Sequence, residues 1–316
     1  MAGKRRAVVK APASIANFGP GFDIVAAAIE GFYDIVEVSL NPGVGRVFVK
    51  SYGFNVPSGE GNVAYHVAKN FLDKFSVREY DVYVTVKKGI PPSRGLGSSG
   101  ATSIATAQAL NTLLNTNLDE KELLYLAGIG EAFTAGSPHY DNVSASLLGG
   151  FVILDLTRGI ILRHIPRKKI PIALIIPETI QVVYKKTAYA RSLLPSQINL
   201  DTHVKQSSSL AKLIYGILTE DLKVLGEAAS TDYIVEPSRA KMIPFYNDIK
   251  KIALDEGAYG VNISGAGPSV FILHEDVEKL VEIGEKIKNH LFKLGVKVNV
   301  HISFISQKGA ELIEVE

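Results

Sequence analysis

One ten-residue segment carries most of the information about the fold: Pro91-Pro92-Ser93-Arg94-Gly95-Leu96-Gly97-Ser98-Ser99-Gly100, here called the glycine loop. Its glycines let backbone amides approach a ligand closely. A helix predicted to begin near Ser99 adds unpaired N–H groups and the positive end of a helix dipole. Together these features predict an anion site, with phosphate as the simplest ligand. A Gly-Ser loop that only caps a helix fits the same residues.

Other nucleotide-binding motifs that share these glycines do not fit the surrounding sequence. The preceding strand ends near Val86, so eight residues lie where a Rossmann unit has a tight turn. Asp119 is a predicted helix N-cap, with Glu122 three residues later completing a capping box, and does not end a second strand. The sequence contains neither His-Arg-Asp nor Asp-Phe-Gly, which excludes a protein kinase. No Gly-Lys-Ser/Thr closes the loop, which excludes a Walker motif.

The composition indicates a folded protein of about two domains. The chain has 316 residues, 47% of them hydrophobic and 21% charged, so global disorder is excluded. Its net charge of +2 argues against a nucleic-acid binder. The absence of cysteine excludes disulfides, cysteine-ligated zinc, iron–sulfur clusters and thiol nucleophiles. No signal-peptide pattern and no membrane-length apolar run is present, so we expect a cytoplasmic protein without a membrane partner.

Apolar periodicity predicts interleaved strands and helices, which is typical of an α+β or α/β protein. Strands are predicted at 6–10, 34–40, 47–51, 80–86, 149–156, 160–165, 172–176, 269–273 and 297–304. Helices are predicted at 62–75, 101–114, 119–134, 207–218, 222–229, 244–256 and 277–294. Prolines and a basic run near 165–170 predict a domain boundary. We therefore expect an N-terminal ATP-binding domain over 1–167 and a C-terminal domain over 168–316.

Three separated segments together resemble the GHMP kinase superfamily, named for galactokinase, homoserine kinase, mevalonate kinase and phosphomevalonate kinase. They are residues 11–23 (APASIANFGPGFD), 91–99 (PPSRGLGSS) and 262–269 (NISGAGPS), in the family's order and spacing. The resemblance covers most of the chain. It implies a two-domain α+β fold, with an N-terminal domain like the second domain of ribosomal protein S5 and a ferredoxin-like C-terminal domain. The active site would lie between them.

Three further segments resemble homoserine kinases within that superfamily. They are residues 136–143 (GSPHYDNV) with 147–150 (LLGG), 187–191 (TAYAR) with Pro195, and 236–244 (EPSRAKMIP). Ile15, Phe18 and Lys186 depart from the residues usual at their positions. The resemblance implies ATP-dependent phosphorylation of the side-chain hydroxyl of L-homoserine to O-phospho-L-homoserine, in threonine biosynthesis. It also implies a homodimer.

Two alternative functions remain open at this point. One is another small-molecule kinase of the superfamily, acting on mevalonate or shikimate. Mevalonate carries no ammonium group. The pair of arginines, Arg191 and Arg239, and the residue Asn142 also argue against it. The other is an inactive fold that serves as a binding module. Three features argue against an inactive binding module: the intact glycine loop, Glu131, and the glycine-rich segment at 262–269.

An amino-acid substrate needs a cation for its carboxylate and acceptors for its ammonium group. The resemblance implies the following substrate contacts: Arg191 and Arg239 for the carboxylate, Asp23 and Asn17 for the ammonium group, and His139 and Asn142 on the hydroxyl side. Asp and Asn beside Gly-Pro also fit an Asx turn. A lone histidine also fits a structural hydrogen-bonding role.

The resemblance implies ATP and Mg²⁺ as cofactors. Magnesium prefers oxygen ligands, and Glu131 with Ser99 or Ser98 matches the family's metal ligands. Glu131 falls late in a predicted helix, where negative charge opposes the dipole, so a role beyond solvation is indicated. The implied nucleotide contacts are Asn62, Pro92, Ser93, Arg94, Gly95, Leu96, Gly97, Ser98, Ser99, Gly100 and Ala101. Asn62 fits an N-cap equally well, and Lys87 and Lys88 fit either the phosphates or solvent.

The position of Asn142 determines how the reaction is interpreted. Several relatives in the superfamily have an aspartate base near this point, whereas an amide cannot act as a base at neutral pH. We therefore expect direct in-line transfer without a carboxylate base. The resemblance implies Asn142, Glu131, Ser99 and Thr187 as the catalytic residues. Asp141, immediately before Asn142, is the alternative base.

Overall fold

The computed structural model describes residues 5–135, 139–178 and 186–316, and within these residues two β-sheets form. The strands are β1 (Arg6–Ala16), β2 (Val25–Pro42), β3 (Val47–Gly53), β4 (Tyr80–Lys88), β5 (Phe151–Asp155), β6 (Ile160–His164), β7 (Pro171–Pro177), β8 (Gly260–Ile263), β9 (Val270–Leu273), β10 (Val298–Phe304) and β11 (Glu311–Val315). The first sheet has the order β11-β1-β2-β4-β3, and β5 joins β2 to β6. The second has the order β10-β7-β9-β8 and is antiparallel throughout.

Helices cover both sheets. They are α1 (Val63–Lys74), α2 (Ser98–Leu114), α3 (Glu120–Ala135), α4 (Tyr140–Leu148), α5 (Lys186–Ser192), α6 (Leu200–Thr219), α7 (Leu222–Ala229), α8 (Val235–Arg239), α9 (Tyr246–Asp255) and α10 (Val277–Lys293), with 3₁₀ turns at Gly59–Gly61 and Ala240–Met242. The predicted capping box at the start of α3 is confirmed, because Asp119 and Glu122 exchange backbone-to-side-chain hydrogen bonds. None of the helices in the described residues is both long enough and apolar enough to span a bilayer.

The first two strands are longer than predicted. β1 continues through Pro12 to Ala16, and its register against β2 shifts between Pro12 and Ala13. Proline lacks an N–H group, so a register irregularity is where a strand tolerates it. β2 runs for 18 residues and begins at Val25, where a run of alanines gave no alternating signal. Helices α4, α5 and α8 and strands β8 and β11 were not predicted as regular elements.

Helix α2 lies at the centre of the N-terminal half. It packs against α1, α3, α4, β1 and β2. Small residues such as Gly100, Ala101 and Ala105 are fully buried along it, and they let neighbours approach on all sides. A helix that is buried all round belongs to the interior of a protein. The first turn of α2 is therefore held from several directions.

The second sheet has its own apolar core beneath α9 and α10. Tyr246, Ile249 and Ile283 pack there against the inner face of β7, β8 and β9. The boundary predicted at 167/168 stays a prediction. The last strand, β11, pairs with β1 of the first sheet although it follows the whole second sheet in sequence.

The glycine loop directly contacts residues 262–269, the last of the three segments that resemble the GHMP kinases. The Ser264 hydroxyl donates to the carbonyl oxygen of Gly95 over 2.7 Å, and the Ser269 amide donates to the carbonyl of Arg94 over 3.3 Å. Gly95 has φ +76°, and a Cβ atom there would overlap the Ser264 carbonyl oxygen. Only glycine satisfies both the backbone angle and the close approach.

We expect Gly95→Ala to lower the melting temperature well beyond what its backbone angle alone explains. A left-handed residue with a Cβ costs about 1–2 kcal/mol, and the collision with Ser264 adds to this. Gly295→Ala is the matched control, because Gly295 has φ +79° and no heavy atom within 4 Å of an added Cβ. Thermal unfolding of both variants tests this expectation. Equal losses in the two variants would contradict it.

Candidate active site

A cavity of about 660 Å³ is lined by residues from both halves of the chain. It contains most of the residues singled out from the sequence: Asn17, Asp23, Asn62, Pro92, Ser93, Gly95, Leu96, Gly97, Ser98, Ser99, Glu131, His139, Asn142, Thr187 and Arg239. Its size suits a small-molecule ligand. The predicted site residues thus surround one space, although they are spread over more than two hundred positions.

Four of the predicted residues do not line this cavity. Arg94 is directed away and donates to the carbonyl oxygen of Glu178 over 2.9 Å. Gly100 and Ala101 are buried inside α2. Arg191 lies outside the lining but forms an ion pair at 2.6 Å with Asp23, which lines the cavity. Residues 136–138, part of a segment that resembles homoserine kinases, lie outside the described residues.

The start of α2 forms the anion-binding end of the cavity. The helix begins at Ser98, one residue before the predicted Ser99, and follows Gly97 at φ +66°. Its N-cap residue makes no side-chain capping bond, so backbone N–H groups of the first turn remain for a ligand. The Ser98 hydroxyl donates to the carbonyl of Ile90 over 3.1 Å, whereas Ser99 hydrogen-bonds the Glu131 carboxyl. Of the two serines, Ser99 is therefore the one beside Glu131.

A buried charge pair supports this helix start from below. Lys88 pairs with Asp34 and also donates to the Ser98 carbonyl at 3.0 Å and the Thr102 hydroxyl at 2.9 Å. Asp34 accepts from the amides of Gly89 and Ile90, each at 3.1 Å. Desolvation lowers the pKa of Lys88, which Asp34 partly offsets. Of the two lysines whose placement was open, Lys88 is buried in this network and Lys87 is exposed.

Two buried carboxyl groups have raised pKa values. Burial raises the pKa of Glu131 to about 7, against the hydrogen bond from Ser99. Burial, helped by the nearby charge of Asp23, raises the pKa of Asp141 to about 7. Both groups line the cavity. A carboxyl with a pKa near neutrality can exchange a proton under working conditions, which marks both as candidates for chemistry.

Two guanidinium groups gather around the Asp23 carboxylate, and the buried Asp141 carboxyl lies nearby. Arg191 and Asp23 form an ion pair at 2.6 Å. Arg239 is 3% exposed, and its Nη1 donates to the Gly265 carbonyl at 2.9 Å. Burial lowers the pKa of Arg239 to about 10, so it stays charged at neutral pH. The ring of Phe22, which sequence reasoning missed, lies about 5 Å from both guanidinium carbons.

Asn17 and Asn62 are held by the protein itself. Asn17 accepts from the Asp23 amide and donates to the Gly265 carbonyl, both at 3.2 Å. It therefore positions Asp23, through a bond that spans six residues rather than the two of an Asx turn. Asn62 caps α1 by accepting from the Ala64 amide at 3.0 Å, and it also lines the cavity. The N-cap interpretation of Asn62 is confirmed, while its contact with a nucleotide stays a prediction.

Family comparison agrees with this arrangement. Residues 62–150 match the family model of the GHMP kinases N terminal domain, and residues 213–293 match that of the GHMP kinases C terminal. The chain belongs to the GHMP kinase family. The family resemblance seen in the sequence is therefore confirmed, together with the mixed α/β fold of N- and C-terminal GHMP kinase domains.

Individual members of this GHMP kinase family are similar over nearly the whole chain. A homoserine kinase of Thermoplasma volcanium is 36% identical over 293 residues, 92% of this chain and 92% of that protein. One from Pyrococcus horikoshii is 36% identical over 298 residues, 94% of this chain and 97% of that protein. The crystal structure of homoserine kinase from Cytophaga hutchinsonii matches with a TM-score of 0.87 at 33% identity, covering 99% of each chain.

We expect Asp141→Asn to change the pH dependence of stability. The pKa of about 7 in the folded protein exceeds the roughly 3.9 of an unfolded aspartate, so folding favours the protonated form. This contribution is complete below pH 4 and is lost as the pH rises to 7. The variant should therefore gain stability over the parent between pH 4 and 8, by on the order of 4 kcal/mol.

Asp81→Asn serves as the control of opposite sign. Hydrogen bonds from Arg46 hold the pKa of Asp81 well below its usual value. Its ionised form therefore stabilises the fold above about pH 4, and this is lost as the pH falls. Across pH 4–8, melting temperatures should show a gain for Asp141→Asn that grows with pH, and a loss for Asp81→Asn that stays constant. A constant difference between Asp141→Asn and the parent would contradict the pKa assignment.

Proposed function

We propose that this protein transfers the γ-phosphoryl group of ATP to the side-chain hydroxyl of L-homoserine, giving ADP and O-phospho-L-homoserine. One observation carries the proposal. The cavity joins a helix N-terminus suited to phosphates with a cluster of Asp23, Arg191 and Arg239 suited to an amino acid. Similarity to homoserine kinases over more than nine-tenths of the chain supports the same activity.

The amino-acid end matches the charges of a zwitterion. The Asp23 carboxylate is an acceptor for an ammonium group, and Arg191 and Arg239 are donors for a carboxylate. Among the residues that the structure describes, the buried Nε atoms of these two arginines make no hydrogen bond. A substrate carboxylate satisfies such donors. A hydroxy acid without an ammonium group leaves Asp23 without a substrate partner, which disfavours mevalonate.

The other end of the cavity fits ATP. Val56, Pro57, Val63 and Phe133 line the cavity together with the first residues of α2, and they offer apolar surface to a purine ring. Within the described residues no group of three or more carboxylate or histidine side chains forms a metal cage. Magnesium bound to nucleotide phosphates needs only one or two protein ligands. Buried Glu131 with its neighbour Ser99 fits that requirement, and the ion would neutralise charge on the phosphates.

The transfer step needs positioning more than a strong base. The homoserine hydroxyl oxygen forms a bond to the γ-phosphorus while the bond from that phosphorus to the β,γ-bridging oxygen breaks. ADP leaves, and the hydroxyl proton passes to an oxygen of the transferred phosphoryl group. Fixing two reactants in line can supply about 7–11 kcal/mol of the barrier. Asn142 holds the reacting oxygens, His139 and Thr187 line the same region, and Asp141 is not the base.

Variants of Arg191 and Asp23 test whether these two side chains bind homoserine. We expect Arg191→Gln and Asp23→Asn to raise KM for homoserine about 10- to 100-fold, because each removes a hydrogen bond to a charged group. The affinity for ATP should stay close to that of the parent. Lys169→Gln is the control, since the exposed pair of Lys169 with Glu30 lies outside the cavity.

The acceptor is identified by magnesium-dependent ADP release with homoserine, mevalonate and shikimate. Turnover with homoserine alone supports the proposal. Turnover with another acceptor would keep the kinase but overturn the substrate assignment. ATP binding without any turnover would point to an acceptor that was not tested. Neither turnover nor ATP binding would favour an inactive binding module. The homodimer implied by the family resemblance stays a prediction for light scattering.

Variants of Asn142 and Asp141 should distinguish direct transfer without a carboxylate base from transfer with Asp141 as the base. We expect Asn142→Ala to lower kcat about 100-fold or more, because a positioned hydrogen-bond donor in a transition state is worth that much. Asp141→Asn should remain active, since it changes no group that accepts the substrate proton. Steady-state kinetics on both variants, with circular dichroism as the folding check, decide the matter. Collapse of turnover in folded Asp141→Asn would identify Asp141 as the base.

A further inference from the structure

We propose that the hydroxyl group of Ser14 holds the Asn142 side chain with its amide nitrogen facing the cavity. Ser14 lies on β1 and is fully buried. Its Oγ donates to Oδ1 of Asn142 over 2.9 Å. Asn142 lines the cavity and Ser14 lies behind it. The proposal rests on the function proposed above, and it makes Ser14 a positioning residue rather than a catalytic one.

Three parts of the fold meet at this hydroxyl group. The Ser14 amide donates to the carbonyl oxygen of Leu96 in the glycine loop over 3.1 Å. A Cβ atom on Gly97 would overlap Ser14 Oγ and lie 2.8 Å from Asn142 Oδ1. Gly97 therefore leaves the space in which the Ser14–Asn142 hydrogen bond forms. The bond joins β1 to the first turn of α4, directly beside the start of α2.

This hydrogen bond fixes which end of the amide is offered to substrates. An asparagine side chain has one acceptor, Oδ1, and one donor group, Nδ2. Oδ1 is engaged by Ser14, so Nδ2 is the end left for the cavity. Its two N–H groups can donate to the attacking hydroxyl oxygen or to an oxygen of the transferred phosphoryl group, where negative charge is spread in the transition state. They cannot accept a proton.

The chain offers a closely matched control. Ser146 lies on α4, is fully buried, and donates from Oγ to the carbonyl of Pro12 on β1 over 2.9 Å. Ser14→Ala and Ser146→Ala thus each remove one buried hydroxyl group that links β1 to α4. Of these two hydroxyl groups, only that of Ser14 hydrogen-bonds the Asn142 side chain. A general loss of packing should affect both variants alike.

We expect Ser14→Ala to lower kcat for homoserine roughly tenfold, while Ser146→Ala leaves it within about twofold of the parent. KM for ATP should change little in either. If Ser14 acts through Asn142, adding Ser14→Ala to Asn142→Ala should cause no further loss of kcat. Independent, multiplicative losses in the double variant would overturn the proposal, as would equal losses in the two single serine variants.

Asn142→Asp tests the direction of the amide. The carboxylate keeps an acceptor for Ser14 but replaces the donor with an oxygen. We expect it to be at least as inactive as Asn142→Ala. Retained activity would mean that an acceptor suffices on the cavity side, which would overturn the proposal.

A measurement without turnover separates this inference from the proposed function. In protein labelled with ¹⁵N-asparagine, the side-chain amide signals of Asn142 are identified by their loss in Asn142→Ala. They should shift in Ser14→Ala and stay in place in Ser146→Ala. If the parent transfers no phosphate to homoserine, the proposed function fails, and these signals alone still decide whether Ser14 holds the amide. Unmoved signals in Ser14→Ala would overturn the inference.

Discussion

The ion pair between Lys88 and Asp34 is the interaction on which the site depends. Removing two charges from water costs several kcal/mol for each ion, so such a pair persists only where further hydrogen bonds satisfy both partners. Here Lys88 also donates to Ser98 and Thr102, and Asp34 accepts from Thr102 and from two backbone amides. The network ties the end of β4 to the first turn of α2. Lys88 donates its hydrogen bonds to groups within the protein. The backbone amides of the first turn of α2 are therefore the donors that remain for an anion.

The chemistry of the cavity was more predictable from the sequence than its construction. Short segments with unusual composition, such as the glycine loop, point to an anion site because few residue types permit that backbone. The capping box of Asp119 and Glu122 was also predictable, because both partners lie within one helical turn. Glu131, late in a predicted helix and among uncharged residues, indicated a role beyond solvation. Such signals are local, and local rules suffice to interpret them.

The supporting contacts were not predictable, because their partners are distant in sequence. Asp34 lies 54 residues from Lys88, and Ser14 lies 128 residues from Asn142. The reason for the glycines also differs from the sequence-based one. Gly95 and Gly97 allow close approach of Ser264 and Ser14, in addition to any ligand. Strand β1 was not predicted beyond Lys10, because the proline at position 12 normally argues against a continuing strand.

The placement of β11 has a consequence for how the chain acquires its structure. Arg6 forms ion pairs with Glu37 on one side and with Glu314, 308 residues away, on the other. The neighbour of β1 on one edge is thus available soon after synthesis begins, and the neighbour on the other edge arrives only after the entire second sheet has emerged from the ribosome. Until then β1 presents an open edge, which is a template for wrong pairing between nascent chains. Arg6 and Lys10 on that strand supply the positive charge that discourages such pairing.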